Sequence, residues 1–545
     1  MKKIALALTM SACFTPVQAE DFYGTLHPFA KENVYFVVTD RFVDGDKSNN
    51  FENDSGFDQP INWPTGEQAN VGYLGGDFRG LLDQAQYIKD LGFTSIWMTP
   101  IIQNPAEAFT GGYEIKPTGF AMDRGKSGYH GYWGVNFYQL DKHLPSKNLD
   151  YKQLNEEFAK HDIKTILDVV INHGSPAYTM PTIQPEFGKL YDKSGKLVAD
   201  HMNLSPERLQ PETERMHSWF YTKPDLAQLA DINVENDEAL NYFVGAYLQW
   251  LGEGASAFRI DTVKHVPAEV WGKFTQKIRA HYPNLFMFGE AYSYDANDIA
   301  RYTYPKFGGM SVLDFPLKKA LDEVFASGKG FEHLNEALHL VNGPYANPYM
   351  LTTFYDNHDM ARMNATDHGF IDAHNWLFTA RGIPVVYYGS EIGFERGKGE
   401  HFGNRNYYGI DNIAKAKNNK ITEHLAKIAK VRKENIALQK GLQIPVELSN
   451  DKAMFYRIYQ YQGVNQTALV LLNKGESSQE FKLPNNLPAG KWVEALEGTQ
   501  KELNSSKSIR LNPHSVKVFL LNQEVTSPDL LKALRNSMAH RLGRL

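Results

Sequence analysis

Phe258-Arg259-Ile260-Asp261-Thr262-Val263-Lys264-His265 is a run of strand length that presents Arg259, Asp261, Lys264 and His265. In an extended strand alternate side chains share a face, so Arg259 and Asp261 point the same way and the arginine can hold the carboxylate ionised. Lys264 and His265 fall where the strand gives way to a loop. An ion pair at a strand end is an ordinary structural device, and the other strand-like runs decide what this one means. Val34 to Phe42, Phe93 to Ile101, Lys164 to His173, Ala255 to Val263, Leu285 to Tyr292, Met310 to Phe315, Leu351 to Asp359 and Ile383 to Gly393 alternate with amphipathic helical stretches. This predicts an α/β protein whose roughly eight parallel strands close a (β/α)8 TIM barrel. Active residues of such barrels sit at the C-terminal strand ends, so Asn172, His173, Arg259, Asp261, Glu290, His358 and Asp359 are expected to converge on one mouth.

Two intervals break the alternation. Of the roughly 80 residues between the third and fourth strands, only Glu238 to Leu251 reads as a helix, so the rest is expected to form an inserted subdomain after strand 3. Beyond about residue 440, short β-rich runs (Ala453 to Tyr461, Thr467 to Leu472, Trp492 to Leu496, Val516 to Leu521) predict a C-terminal antiparallel β-sandwich. The expected organisation is a signal peptide (1–19), the barrel (20–173 and 238–438), the inserted subdomain (174–237), the sandwich (439–525) and a helical tail (526–545). The tail carries Lys532, Arg535, Arg541 and Arg544. Packing back on the sandwich is expected of it, with docking on an anionic surface as the alternative.

The 545 residues carry 57 Lys and Arg against 63 Asp and Glu, a formal charge of −6, with no basic stripe that would serve a nucleic acid. Apolar residues make up 42% of the chain, ample for a large core, and the 29 Tyr and 8 Trp suit stacking on flat ligand faces. Lys2 and Lys3, the apolar run from Ile4 and Val17-Gln18-Ala19 read as a secretory signal cut after Ala19, which implies export to the periplasm or medium. The single cysteine, Cys13, lies inside it. Met10-Ser11-Ala12-Cys13 as a lipoprotein site is the alternative reading. No later run offers roughly 18 consecutive apolar residues, so no transmembrane segment is expected. A monomer is the expected state.

Three carboxylates stand at candidate strand ends: Asp261, Glu290 in FGEAY and Asp359 in YDNHD. Glycoside hydrolysis with retention needs a carboxylate nucleophile and a second, protonated carboxyl group about 5 to 5.5 Å away. Glu290 follows the apolar Phe286-Met287-Phe288, where desolvation raises a carboxyl pKa, while Asp261 has Arg259 beside it.

With these motifs quoted, the chain resembles the α-amylase family of retaining glycoside hydrolases from about residue 30 to 520. Asp168 to His173 (DVVINH), Arg259 to His265 (RIDTVKH), Gly289-Glu290 and Asn357 to Asp359 (NHD) match the family's four signature regions in order. The resemblance implies Asp261 as nucleophile, Glu290 as general acid/base and Asp359 as the third carboxylate, which binds sugar hydroxyls. It further implies sugar contacts from His173 and His358, orientation of the nucleophile by Arg259, and stacking beneath the cleaved residue by Tyr132, with His130 and Trp133 beside it.

Calcium is the implied cofactor. Asn172, Asp231 in LADIN and the backbone carbonyl of His265 resemble the family site that pins the inserted subdomain to the barrel. Asp44, Asp46, Asn49 and Asn50, completed by the Gly75 carbonyl and Asp77, resemble the N-terminal calcium loop of cyclodextrin glucanotransferases. An EF-hand is excluded, because the twelfth position of that run is Ser55.

Within the family, the motifs are nearest to bacterial α-amylases and cyclodextrin glucanotransferases. The transferases place Tyr or Phe four residues before the aspartate of LADIN, where this chain has Ala227, and they carry two further C-terminal domains. Tyr292 and Lys264 keep acceptor-side contacts. The expectation is therefore an endo-acting α-amylase on starch or maltodextrins. A glucanotransferase or cyclomaltodextrin-degrading enzyme is the alternative within the family, and a non-catalytic glycan-binding or transport subunit the alternative outside enzymes.

Overall fold

Eight short runs pair side by side in parallel: β1 (Val34–Val37), β2 (Ser95–Met98), β3 (Lys164–Val169), β4 (Ala257–Ile260), β5 (Phe286–Gly289), β6 (Ser311–Val312), β7 (Thr352–Thr353) and β8 (Ile383–Tyr387). In the computed structural model, which describes residues 20–117 and 121–543, their order is β6-β5-β4-β3-β2-β1-β8-β7. A parallel bridge from Leu313, just past β6, to Thr352 in β7 brings the two edges together, giving the expected barrel. The expected signal peptide and Cys13 lie outside the described residues. Every residue of β1, β2, β4, β5 and β8 is buried, because helices cover the outside and side chains fill the inside. Inside, Phe36 stacks on Trp97 at 3.7 Å between ring centres, and Phe288 meets Trp97 edge-on at 5.4 Å.

Each strand is shorter than the run that predicted it, mainly at its C-terminal end. The polar C-terminal ends leave the ladder to face the cleft: pairing of β4 stops at Ile260, one residue before Asp261, and that of β5 at Gly289, one before Glu290. The third run splits, with Lys164–Val169 in the barrel and His173–Pro176 paired antiparallel to Leu229–Asp231 in the inserted region. That region also holds the small hairpin of Lys189–Tyr191 and Leu197–Asp200. The first run turns at its end into a short helix, Thr39–Phe42.

The helices that seal the barrel follow their sequence signals. Helix α1 (Tyr151–Lys160) starts at a capping box of Asp150 and Gln153 and buries Tyr151, Leu154 and Phe158 at helical spacing. Asn236 caps α2 (Asp237–Gly252), which closely matches the helix predicted there. Further along lie α3 (Ala268–Arg279), α4 (Asp367–Leu377) and α5 (Lys420–Glu434).

The C-terminal sandwich has one sheet of β9 (Leu442–Ser449), β10 (Lys452–Tyr461), β11 (Val464–Asn473), β13 (Lys491–Glu494), β14 (Gln500–Glu502) and β16 (Ser515–Leu521), in the order β9-β10-β11-β16-β13-β14. The hairpin of β12 (Gln479–Lys482) and β15 (Ser508–Leu511) completes it. Buried guanidinium groups lock it to the barrel. Arg457 of β10 donates to the Thr379 carbonyl at 2.8 Å, while Arg381 pairs with Asp314 at 2.7 Å and gives its backbone N–H to Gln443. Breaking one partner of such a buried pair costs about 3 to 5 kcal/mol, since the other charge is left uncompensated. The tail is α6 (Pro528–Leu542), which buries Leu530 and Leu534. Two of its cations are already engaged: Arg541 lies 4.6 Å over the Tyr23 ring, and Arg535 pairs with Glu20. No helix of the described residues is long and apolar enough to cross a membrane.

Candidate active site

One guanidinium organises the mouth of the barrel. Arg259 is fully buried; its Nη1 lies 2.8 Å from Asp168 Oδ1 and 2.8 Å from Asp261 Oδ1, and its Nη2 lies 2.7 Å from Glu290 Oε2. Strand register explains the convergence. Arg259 on β4 stands opposite Asp168 on β3, while Ile260 stands opposite Gly289 on β5, so Asp261 and Glu290 emerge together from neighbouring strand ends. Their backbones continue the ladder by one hydrogen bond each, Asp261 N–H to Val169 O and Glu290 N–H to Ile260 O. Gly289 allows this closeness, because a Cβ there would sit 2.7 Å from Val263 Cγ2. Arg259 contacts Asp261, the residue it was expected to orient, but it was also expected among the substrate-binding residues. It lies instead beneath the cleft floor, with both terminal nitrogens engaged by carboxylates, and can reach a substrate only through them.

The carboxyl groups are supplied unequally. Asp168 receives Arg259 Nη1, the Trp97 Nε1–H at 2.9 Å and the Tyr132 O–H at 2.8 Å, so donors surround its charged form although burial raises its pKa. Glu290 has the Arg259 contact alone, and burial pushes its carboxyl up to about 8, with the charges of Asp359 and Asp261 adding to the rise. Asp359 is also raised by burial, against the pull of Arg405 at 2.7 Å. His130 and His358 are held well below the usual histidine range, first by burial and then by nearby cations, and are therefore neutral. Such an arrangement can hold one carboxyl group protonated beside another that is ionised, which is the requirement of acid-assisted displacement at an acetal carbon.

These groups line a cleft of about 720 Å³. Asp261, Glu290, Asp359, Tyr132, His130, Trp133, His173, Lys264, Tyr292 and His358 all face it, as the sequence reading expected of a shared mouth. Tyr132 lies parallel to His358 at 5.3 Å between rings, and His130 Nε2 is buried with no hydrogen-bond partner. Tyr292 is 56% exposed at the rim, and Lys264 Nζ donates to its carbonyl oxygen at 3.1 Å. Sequence reasoning quoted Asp168 only as the start of a motif, although its alternation with the barrel-facing positions marked it. It missed Arg405 and Glu400, which pair at 3.1 Å, and Lys126, 3.5 Å from Glu400. These three come from loops after β8 and β2 with no local signal.

Two clusters of oxygen donors lie apart from the carboxyl groups. In the Asp44 to Asn50 loop, Asp44 Oδ1, Asn49 Oδ1 and Asn50 Oδ1 are buried and unpartnered. Gly75 adopts φ 88° against Asn50, where a Cβ would lie 2.5 Å from Oδ1. Asp77 differs from its expected place as a ligand. Its two oxygens accept from the N–H groups of Gly45, Asp46 and Gly80 and from Asn49 Nδ2, which fills the acceptor positions of a carboxylate. Asp46 likewise turns Oδ1 to Ser48. In the second cluster Asp225, absent from the sequence reading, contacts His265 Nδ1 at 2.9 Å and Asn172 Nδ2 at 3.5 Å. Burial, with the charge of Asp225, pushes the Asp231 carboxyl up to about 7.

Comparison with known proteins places these features. Residues 36–434 match the family model described as alpha amylase, catalytic domain. A cyclomaltodextrin glucanotransferase of Klebsiella oxytoca is 29% identical over 544 aligned residues, covering 89% of this chain and 77% of that one. The crystal structure of CldA, titled the first cyclomaltodextrin glucanotransferase with a three-domain ABC distribution, is 28% identical with a TM-score of 0.74, over 90% of this chain and 99% of that one. An Anoxybacillus alpha-amylase superposes with a TM-score of 0.70 at 26% identity, over 91% of this chain and 99% of that one. The CldA match corrects one expectation, because a glucanotransferase need not carry two further C-terminal domains. With its closed barrel, its sandwich and a catalytic-domain match over most of its length, the chain belongs to the α-amylase family.

Proposed function

We propose that the protein is an exported α-amylase that hydrolyses internal α-1,4-glucosidic bonds of starch or maltodextrins by retaining double displacement. Glu290 protonates the glycosidic oxygen as Asp261 attacks the anomeric carbon. Glu290 then takes a proton from the water that releases the glycosyl group from Asp261. Asp359, His358 and His173 bind hydroxyls of the sugar being cleaved, and Tyr132 supports its ring. Export rests on the N-terminal sequence alone.

The observation that favours hydrolysis is Ala227, which lines the cleft with a methyl group where the glucanotransferases place the Tyr or Phe around which a glucan chain curls. The second reading, a glucanotransferase, is favoured by the names of relatives such as the Klebsiella oxytoca and Thermoanaerobacterium thermosulfurigenes enzymes. Tyr292 and Lys264 at the rim would hold an acceptor sugar in either reaction.

Calcium fits the loop of Asp44, Asn49 and Asn50, whose buried, unpartnered oxygens would ligate it together with the Gly75 carbonyl, while Asp77 braces the loop. Asn172, Asp231 and the His265 carbonyl, with Asp225 added, would form a second site whose excess negative charge a cation relieves. When bound there, calcium would supply structural cross-links between loops.

Three experiments follow. With soluble starch and maltoheptaose, chromatography is expected to show linear oligosaccharides and no rings, with Asp261→Asn reducing activity by at least about 10⁴-fold. Ala227→Tyr is expected to raise the ratio of transfer to hydrolysis, and predominantly cyclic products from the wild type would favour the second reading. The pH profile of kcat/KM is expected to fall on the basic side near the raised Glu290 value of about 8, since the acid must stay protonated to act. In Asp359→Asn, which removes a charge that raises Glu290, the limb of the residual activity moves to lower pH; a limb that stays put would count against Glu290 as the acid. Chelator is expected to lower the Tm of the wild type, and Asp44→Ala to lower it in calcium but add little in chelator. Additive losses would remove calcium from that loop.

A further inference from the structure

Four side chains from two domains meet on the flank of the barrel, and none of them lines the catalytic cleft. His368 and Asp372 stand four residues apart on α4 and so share a face of that helix. Glu476 lies in the turn after β11, and His514 immediately precedes β16. Asp372 is buried and its Oδ2 lies 2.7 Å from His514 Nδ1. A carboxylate at one ring nitrogen fixes the proton there and makes the other nitrogen the better electron-pair donor.

That other nitrogen, His514 Nε2, is buried in a ring only 10% exposed, and the group it faces is the Glu476 carboxylate. Glu476 Oε1 stands 3.3 Å from it, and the His368 ring stacks on the His514 ring at 4.1 Å. One ligand atom each from His368, Glu476 and His514 lies within 4.8 Å of the other two. Two ligands each about 2.0 to 2.2 Å from one ion are at most about 4.4 Å apart, so a small rotation of the outer side chains completes the site. Glu476 is 86% exposed and free to make it. The neighbouring cation Lys474 is already paired with Asp451 at 2.9 Å.

We propose that His368, Glu476 and His514 form a binding site for a divalent transition metal of the zinc class, with Asp372 orienting His514 from behind, so that the ion bridges a barrel helix and the C-terminal sandwich. Two imidazoles and one carboxylate favour Zn²⁺ over Ca²⁺, which prefers an all-oxygen shell. A fourth position is left to water. The site is a structural clamp that works beside the buried Arg381 and Arg457 contacts between the same two domains.

The test is titration of the untagged, full-length protein with Zn²⁺ by calorimetry in excess calcium, repeated with Co²⁺ followed by visible absorption. One equivalent of Zn²⁺ is expected to bind to the wild type. Affinity should drop by at least about 10-fold in His368→Ala and in Glu476→Gln, and by about 10- to 100-fold in Asp372→Asn. His368 and Glu476 are exposed, so these two variants keep the fold and the basal activity. Co²⁺ should give d–d bands that vanish in His368→Ala. The proposal is overturned if the wild type takes up no Zn²⁺ in excess calcium, or if a His368→Ala, Glu476→Gln double variant binds it with unchanged stoichiometry and affinity.

Discussion

A single buried cation faces three carboxyl groups at the barrel mouth, and the division of labour at the site follows from that imbalance. Arg259 contacts Asp168, Asp261 and Glu290 within 2.8 Å, with no second cation among those contacts. Three negative charges gathered around one buried cation raise one another's pKa, and the cluster favours holding a proton. Burial pushes Glu290 up to about 8, so that carboxyl group is the one that favours the proton. Asp168 has Trp97 and Tyr132 in addition to Arg259, whereas Glu290 sits above the apolar β5 with Arg259 alone. In the proposed mechanism Glu290 is accordingly the acid and Asp261 the nucleophile.

Everything below the site serves to fix this geometry. The guanidinium can be buried because adjacent strands deliver its partners in register, and the strands hold register because Phe36, Trp97 and Phe288 pack the interior. Trp97 joins the two levels, stacking on Phe36 below while donating to Asp168 above. The sandwich reaches the loop before β8 through Arg457, which donates to the Thr379 carbonyl, and Gln443, which accepts the Arg381 N–H, so its packing steadies that strand.

The barrel was legible in the sequence because its strands are apolar runs of fixed length whose polar residues gather at one end. The same signal overstated their length, since it cannot show that the polar end has left the ladder; Leu351 to Asp359 contributes only Thr352 and Thr353 to pairing. Asp261, Glu290 and Asp359 were readable from strand-end position and family motif together. Asp225, Glu400 and Arg405 were not, because each acts from a loop whose fold has no local sequence code. Arg259 was legible in part: alternation showed that it shares a face with Asp261 but not that two further carboxylates would claim it. Asp77 was misplaced, since oxygen-rich spacing does not reveal that backbone N–H groups already occupy its oxygens.

The central claim is that Asp261 is the nucleophile. Its most direct test is to trap the glycosyl-enzyme with a fluorinated maltosyl donor that forms the ester quickly and releases it slowly, then map the labelled peptide by mass spectrometry. The account predicts a single glycosyl ester on Asp261. A label on Glu290, Asp168 or Asp359, or a product of inverted configuration, would contradict it.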